Sequence, residues 1–111
     1  MDERQRRVGR NEALFRQVNE ELEALQQVTR ITEETLGVVC ECGDLRCRER
    51  IEMPLHEYEA VRGESDLFLV IPGHEIPDTE DVVRTTERYY VVRKREGEAA
   101  RLSKALDPRS G

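Results

Sequence analysis

All three cysteines of this 111-residue chain fall in one short stretch, Cys40-Glu41-Cys42-Gly43-Asp44-Leu45-Arg46-Cys47, which reads C-x-C-x4-C. Thiolate sulfur is a preferred ligand of zinc, and a structural zinc closes a tetrahedron from four Cys or His side chains. Side chains of an extended chain repeat every second residue, so Cys40 and Cys42 can point the same way. Residues 43–46 then loop back and bring Cys47 to the same ion, with Gly43 and Asp44 supplying the turn. Free cysteine often serves as a small buried hydrophobe, but burial gives no reason to gather three of them beside Gly43 and Asp44. A Cys40–Cys42 disulfide would close a strained ring, and an odd count leaves one thiol over. The stretch therefore reads as a metal knuckle, with Zn2+ ahead of iron for lone tetrahedral ligation by sulfur and nitrogen.

The fourth position falls to His56, to His74, to a carboxylate or to water. His74 is preferred. It follows Pro72 and Gly73, a rigid residue and a permissive one, directly after an apolar run, and such a loop can turn an imidazole toward a neighbouring hairpin tip. His56 stays open as the alternative: it stands in the first turn of a predicted helix that can fold back beside the knuckle. Three thiolates on one divalent ion leave a net negative charge, and Arg46, Arg48 and Arg50 lie close enough in sequence to offset it.

The elements that must position this site are legible from patterning. Residues 1–10 are charged, with Val8 their one aliphatic beyond Met1, and are expected as a disordered N-terminal arm. Asn11 can cap a helix with Glu12 in its first turn. Leu14, Phe15, Val18, Leu22, Leu25 and Val28 follow as an apolar stripe, with Arg16, Glu20, Glu21 and Glu23 outside it, so a helix is predicted over 11–29. The stripe is expected to pack on the domain's own sheet; a homodimer seam through Val18, Leu22 and Leu25 is the alternative. Val38-Val39-Cys40 and residues 48–53 read as the strands of a hairpin tipped by the knuckle. Pro54 opens a second helix to about residue 62, on which Leu55, Tyr58 and Val61 or Arg62 cover the sheet, and Gly63 ends it. Leu67-Phe68-Leu69-Val70-Ile71 is the most apolar run and suits a central strand. Residues 72–77 form a loop, and residues 82–84 and 89–93 suggest a second hairpin. A short helix over 98–106, with Ala99, Leu102 and Leu106 on one side, and a flexible tail at 107–111 complete the chain. The expectation is α+β: a long N-terminal amphipathic helix and a small, mostly antiparallel sheet carrying the zinc-knuckle hairpin, in one domain over 11–106.

Charged residues make up 38% of the chain and apolar ones 37%, so the core is sparse and profits from a staple such as a metal ion. The net charge of −6 speaks against a general nucleic-acid binder, which shows a basic footprint. Arg84, Arg88, Arg93, Lys94 and Arg95 read as a solvated strand edge. The sequence shows no secretory leader and no apolar window of membrane length, and clustered reduced thiols suit a cytoplasmic protein. A catalytic zinc keeps a position for water, for which Glu41 or Glu75 can act as base. Against that stand the absent deaminase signature, Gly-rich phosphate loop, G-x-S-x-G and H-E-x-x-H. A structural zinc in a small interaction or regulatory module, with another protein as partner, is the leading reading. A thiol-based redox or metal sensor is the alternative, and a small zinc enzyme comes third.

Several segments together resemble a known family. Phe15 to Glu20 (Phe-Arg-x-Val-Asn-Glu), the Cys40-Glu41-Cys42-Gly43-Asp44 run followed by Cys47, Glu57 to Arg62, and Pro72-Gly73-His74-Glu75-x-Pro77 look like a family of small uncharacterised actinobacterial proteins. The likeness spans residues 11–95. It implies His74 as the fourth ligand, since the Pro-Gly-His triplet recurs in that pattern, while a His at the position of His56 does not need to. The family brings a site with it and no activity.

Overall fold

The computed structural model describes residues 3–29 and 35–109. In chain order they form α1 (Glu3–Thr29), β1 (Thr35–Val39), β2 (Arg50–Pro54), α2 (Leu55–Arg62), β3 (Leu67–Val70), β4 (Glu80–Thr85), β5 (Tyr90–Lys94) and α3 (Glu98–Ala105). This is the expected α+β arrangement, with both hairpins antiparallel, but the strands make two sheets rather than one: β1-β2, and β3-β5-β4. No helix among the described residues is long and apolar enough to cross a membrane. Residues 30–34, the last two residues and the Val28 side chain of the expected stripe lie outside the described residues.

β3 organises the two layers. All four of its residues are buried, which is why its sequence is a continuous apolar run and not an alternating one. Leu67 and Leu69 face a core filled by Leu36 and Val38 of β1, Ile51 and Met53 of β2, Tyr58 and Val61 of α2, and Tyr89 and Val91. The β1–β2 register sets Leu36 opposite Met53 and Val38 opposite Ile51 on that same face. Phe68 and Val70 face the other way, toward Val92, Cys40 and Cys42. The expectation of a central strand needs correcting, since β5 is central and β3 lies at the sheet's edge. Burial on both faces made β3 look central; its outer edge is covered by the knuckle instead of by a strand.

α1 departs most from expectation. It starts at Glu3, so residues 3–10, expected as a disordered arm, form its first turns. They are held from outside: Arg6 binds Glu98 of α3 at 3.1 Å, and Gly9 sits against Leu102. The buried face of α1 is also not the apolar stripe. Leu14 and Leu25 are 53% and 62% exposed, whereas Glu12, Ala13, Arg16, Asn19 and Glu23 are buried. Glu12, Arg16, Asn19 and Glu23, four, three and four residues apart, trace one face of a helix as well as any apolar stripe does. The surface beneath offers carbonyls, a strand terminus and a buried ammonium, so polar side chains fit it. Arg16 donates to Ser65 O (2.6 Å) and Ser103 O (2.7 Å) and lies 4.7 Å over the Phe68 ring. Glu23 meets Arg109 at 3.2 Å.

Two smaller corrections follow. Residues 107–109 are no loose tail, because Asp107 accepts a hydrogen bond from Ser65 and Arg109 reaches Glu20, Glu23 and Glu59. On α3 the buried residues are Ala100 and Ser103, while Leu106 is exposed. On α2, Tyr58, Val61 and Arg62 are buried as predicted and Leu55 packs at the core's margin.

Candidate metal centre

Cys40 follows directly on β1, and the chain bends at Cys42 and Gly43. Strand alternation sends Cys40 and Cys42 to one side and Glu41 to the other. Gly43 then takes φ +80°, a left-handed conformation that glycine adopts without steric cost. A Cβ at Gly43 would lie 2.9 Å from Val8 O and from Glu12 Cγ, so only glycine lets the knuckle lie flat against α1. Asn11 holds it there by donating to Gly43 O at 3.0 Å. The return turn is closed by Cys47 N donating to Asp44 O (3.0 Å) and by Asp44 Oδ1 accepting from Arg46 N (2.9 Å). Cys47 thereby comes back beside Cys40.

His74 arrives from the end of β3. Its N–H donates to Ile71 O at 2.9 Å across the Pro72-Gly73 turn, with Gly73 at φ +92°. Glu75 fixes the same turn by accepting from Gly73 N at 2.8 Å. The imidazole presents Nδ1 at 3.6 Å from Cys40 Sγ and 3.7 Å from Cys47 Sγ. The ligand atoms of Cys40, Cys42, Cys47 and His74 all lie within 4.8 Å of one another, a set that can hold a metal ion. His56 stands exposed on α2, outside this group. All three thiols are free of disulfides.

The donor chemistry fits a cation. The hydrogen bond from the Cys40 thiol draws Cys42 below the ordinary thiol range. The same bond, together with burial, holds Cys40 above the ordinary thiol range, and burial pushes Cys47 up. A divalent ion at the centre moves all three in one direction, toward the thiolate. Ile71 N already donates to Cys40 Sγ at 3.2 Å, the kind of contact that orients a ligand sulfur.

Glu41, a candidate general base on sequence grounds, has another place. Its carboxylate is fully buried, paired with Arg62 at 3.0 Å, and accepts from Asn19 Nδ2 (2.7 Å) and Leu69 N (2.9 Å). Its own N–H donates to Leu69 O at 2.7 Å. Glu41 thus closes the open edge of β3, backbone to carbonyl and side chain to amide, in the manner of a fourth strand. Asn19 adds a matching pair on β1, donating to Val39 O (2.9 Å) and accepting from Val39 N (2.8 Å). These supports were missed in the sequence; the alternation within Cys40-Glu41-Cys42 was the signal that Glu41 points inward.

The expected arginine neighbours also differ. Arg46 turns to Asp44 at 3.3 Å, and Arg48 and Arg50 are exposed. Arg4 and Arg7 of α1 instead share a groove with Cys42 and His74. Within the basic run near the second hairpin, Arg84 pairs with Glu57, Arg93 with Asp66 and Glu64, and Arg95 with Asp81. Lys94 is buried between Glu12 (2.6 Å) and Glu80 (2.7 Å). Comparison with protein-family models, with curated proteins and with solved structures finds no match.

Proposed function

We propose that this is a small cytoplasmic zinc-binding protein whose Cys40, Cys42, Cys47 and His74 hold a structural zinc, and whose surface serves contact with another protein. One observation carries the reading: a single nitrogen, His74 Nδ1, stands nearly equidistant from two sulfurs, at 3.6 and 3.7 Å. One ring nitrogen can donate only one hydrogen bond. A tetrahedral zinc, with Zn–S about 2.3 Å and Zn–N about 2.0–2.1 Å, sets sulfur and nitrogen about 3.5–3.6 Å apart along a sulfur–nitrogen edge. Four protein ligands fill the tetrahedron, which distinguishes a structural site from a catalytic one. The position of Glu41, turned into the core, supports the same assignment. The likeness to small actinobacterial proteins bears on the site and leaves the partner open.

The test is metal content together with fold. Wild type should carry about one zinc per chain, and both Cys42→Ser and His74→Ala should lose it while His56→Ala keeps it. Native protein that folds without stoichiometric metal overturns the reading, and loss on His56→Ala but not on His74→Ala overturns the ligand set. A sensor reading has its own support, because Cys47 and His74 are only half-buried. Hydrogen peroxide, with two protons from solvent, would then take two electrons from two thiolates, forming a disulfide and two waters as the metal leaves. Reversible zinc loss at low peroxide with a change in shape favours the sensor, and resistance favours the staple.

A further inference from the structure

The knuckle does not end at the metal ligands. Between the first turns of α1, the knuckle and the Pro-Gly-His loop runs an open groove of about 620 Å³. Arg4, Arg7 and Arg46 stand along it, with Val8, Leu45 and Ile76 between them. Arg4 and Arg7 are exposed and have no carboxylate partner among the described residues, unlike Arg6 on the same helix, which is tied to Glu98. Arg46 is 91% exposed in its side chain, and Asp44, its ion-pair partner among the described residues, is half exposed as well. Leu45 at the knuckle tip is 60% exposed. Three arginines face Asp44 and the net negative charge of a metal-bound tris-thiolate centre, which leaves a weakly basic, partly apolar strip on a chain whose net charge is −6.

We infer that the groove binds an acidic, extended segment of a partner protein, with carboxylates on Arg4 and Arg7 and an apolar side chain on Leu45, Val8 and Ile76. The inference rests on the interaction-module part of the proposal above and names the surface and the chemistry of its partner. Guanidinium forks match carboxylates in bidentate geometry. The sign of the groove, opposite to that of the whole chain, steers an acidic segment to this one place. A nucleic acid fits less well. Its phosphates run on past so short a basic strip and meet the acidic remainder of the surface, and Leu45 has no part in phosphate contact. The groove becomes a surface only because α1 starts at Glu3 and the knuckle fixes Gly43 beneath it, so the metal site and the docking site share a wall.

The probe is a blocked, fluorescently labelled Glu-Glu-Leu-Glu-Glu peptide, titrated by anisotropy against the zinc-loaded chain. The comparisons are the Lys-Lys-Leu-Lys-Lys counterpart, a short single-stranded oligonucleotide and inorganic phosphate. Saturable binding of the acidic peptide alone is expected. It should weaken about tenfold in Arg4→Glu/Arg7→Glu and with added salt, while Arg10→Glu leaves it unchanged. Zinc content is read on every variant. Absence of saturable binding to wild type, equal affinity in the double variant, or preference for the oligonucleotide or phosphate overturns the inference and leaves the zinc assignment standing. Loss of zinc from the folded double variant also overturns it, because the arginines would then serve to balance the thiolates.

Discussion

The two faces of β3 are built from opposite materials. Under Leu67 and Leu69 lies an apolar core of β1, β2, α2 and β5 side chains. Over Phe68 the packing is ionic: Arg16, Lys94 and Arg62 lie 4.7, 5.7 and 5.9 Å from its ring centroid. Glu41 pairs with Arg62, Glu12 and Glu80 flank Lys94, and Arg16 donates to the Ser65 and Ser103 carbonyls. The apolar face gains from area removed from water and tolerates approximate fit. The ionic face gains only if each charge finds its partner, since a buried charge left alone is costly. The metal knuckle sits on the ionic side. Its neighbours there are hydrogen-bonded charges, each of which needs its partner.

Four measurements test this contrast. The largest effect is expected at the ion pair that closes β3. Glu41→Leu leaves Arg62 buried and unpaired and should cost about 3–5 kcal/mol in urea unfolding, most of which Arg62→Met in the same chain should restore. On the apolar side Tyr58→Ala should cost a similar amount, about 3–5 kcal/mol, with no rescue from any charge partner. If the Glu41–Arg62 double replacement is no better than the single, the two faces do not differ as described. Next comes Asn19→Ala, which removes both partners of the Val39 backbone and should cost about 1–3 kcal/mol. Equal stability would mean that water takes over both bonds.

The third test is pH. Burial, with the Glu80 carboxylate adding and Lys94 opposing, raises Glu12 from the usual 4.5 to about 8. Between those values the folded chain holds a proton that the unfolded chain has released. Its contribution is therefore full below the lower value and declines as pH rises through about 8. Glu12→Gln should flatten this decline between 4.5 and about 8, and an unchanged profile would mean that Glu12 does not carry it. The smallest effect is expected on the outward face of α1. Leu14→Ser and Leu25→Ser should each change stability by less than about 0.5 kcal/mol. A larger loss, with a drop in sedimenting mass, would mean that a second copy covers that face.

What could be read from the sequence divides along the same line. Period-two alternation marked Ile51 and Met53, and the unbroken run at Leu67 marked β3, because apolar burial leaves a periodic trace. The three cysteines and the Pro-Gly-His turn carried the site, because ligand types are rare and their spacing is constrained. The docked face of α1 stayed hidden, although Glu12, Arg16, Asn19 and Glu23 keep helical spacing. A charged residue at such a position ordinarily means water, and only the partners distant in sequence reveal otherwise. Leu14 and Leu25 misled for the same reason in reverse. The early turns of α1 were missed since Arg6 is anchored by Glu98, a residue at the far end of the chain.

That far end sets an order of events in biosynthesis. Lys94, Ser103 and Arg109 lie 82, 87 and 89 residues beyond the α1 side chains they hold. At about 5–20 residues per second, the helix emerges from the ribosome roughly 4–18 s before its anchors exist. A helix that docked through an apolar face would spend this interval exposing it to every other nascent chain. One that docks through Glu12, Arg16, Asn19 and Glu23 waits fully hydrated, and only later exchanges water for its partners.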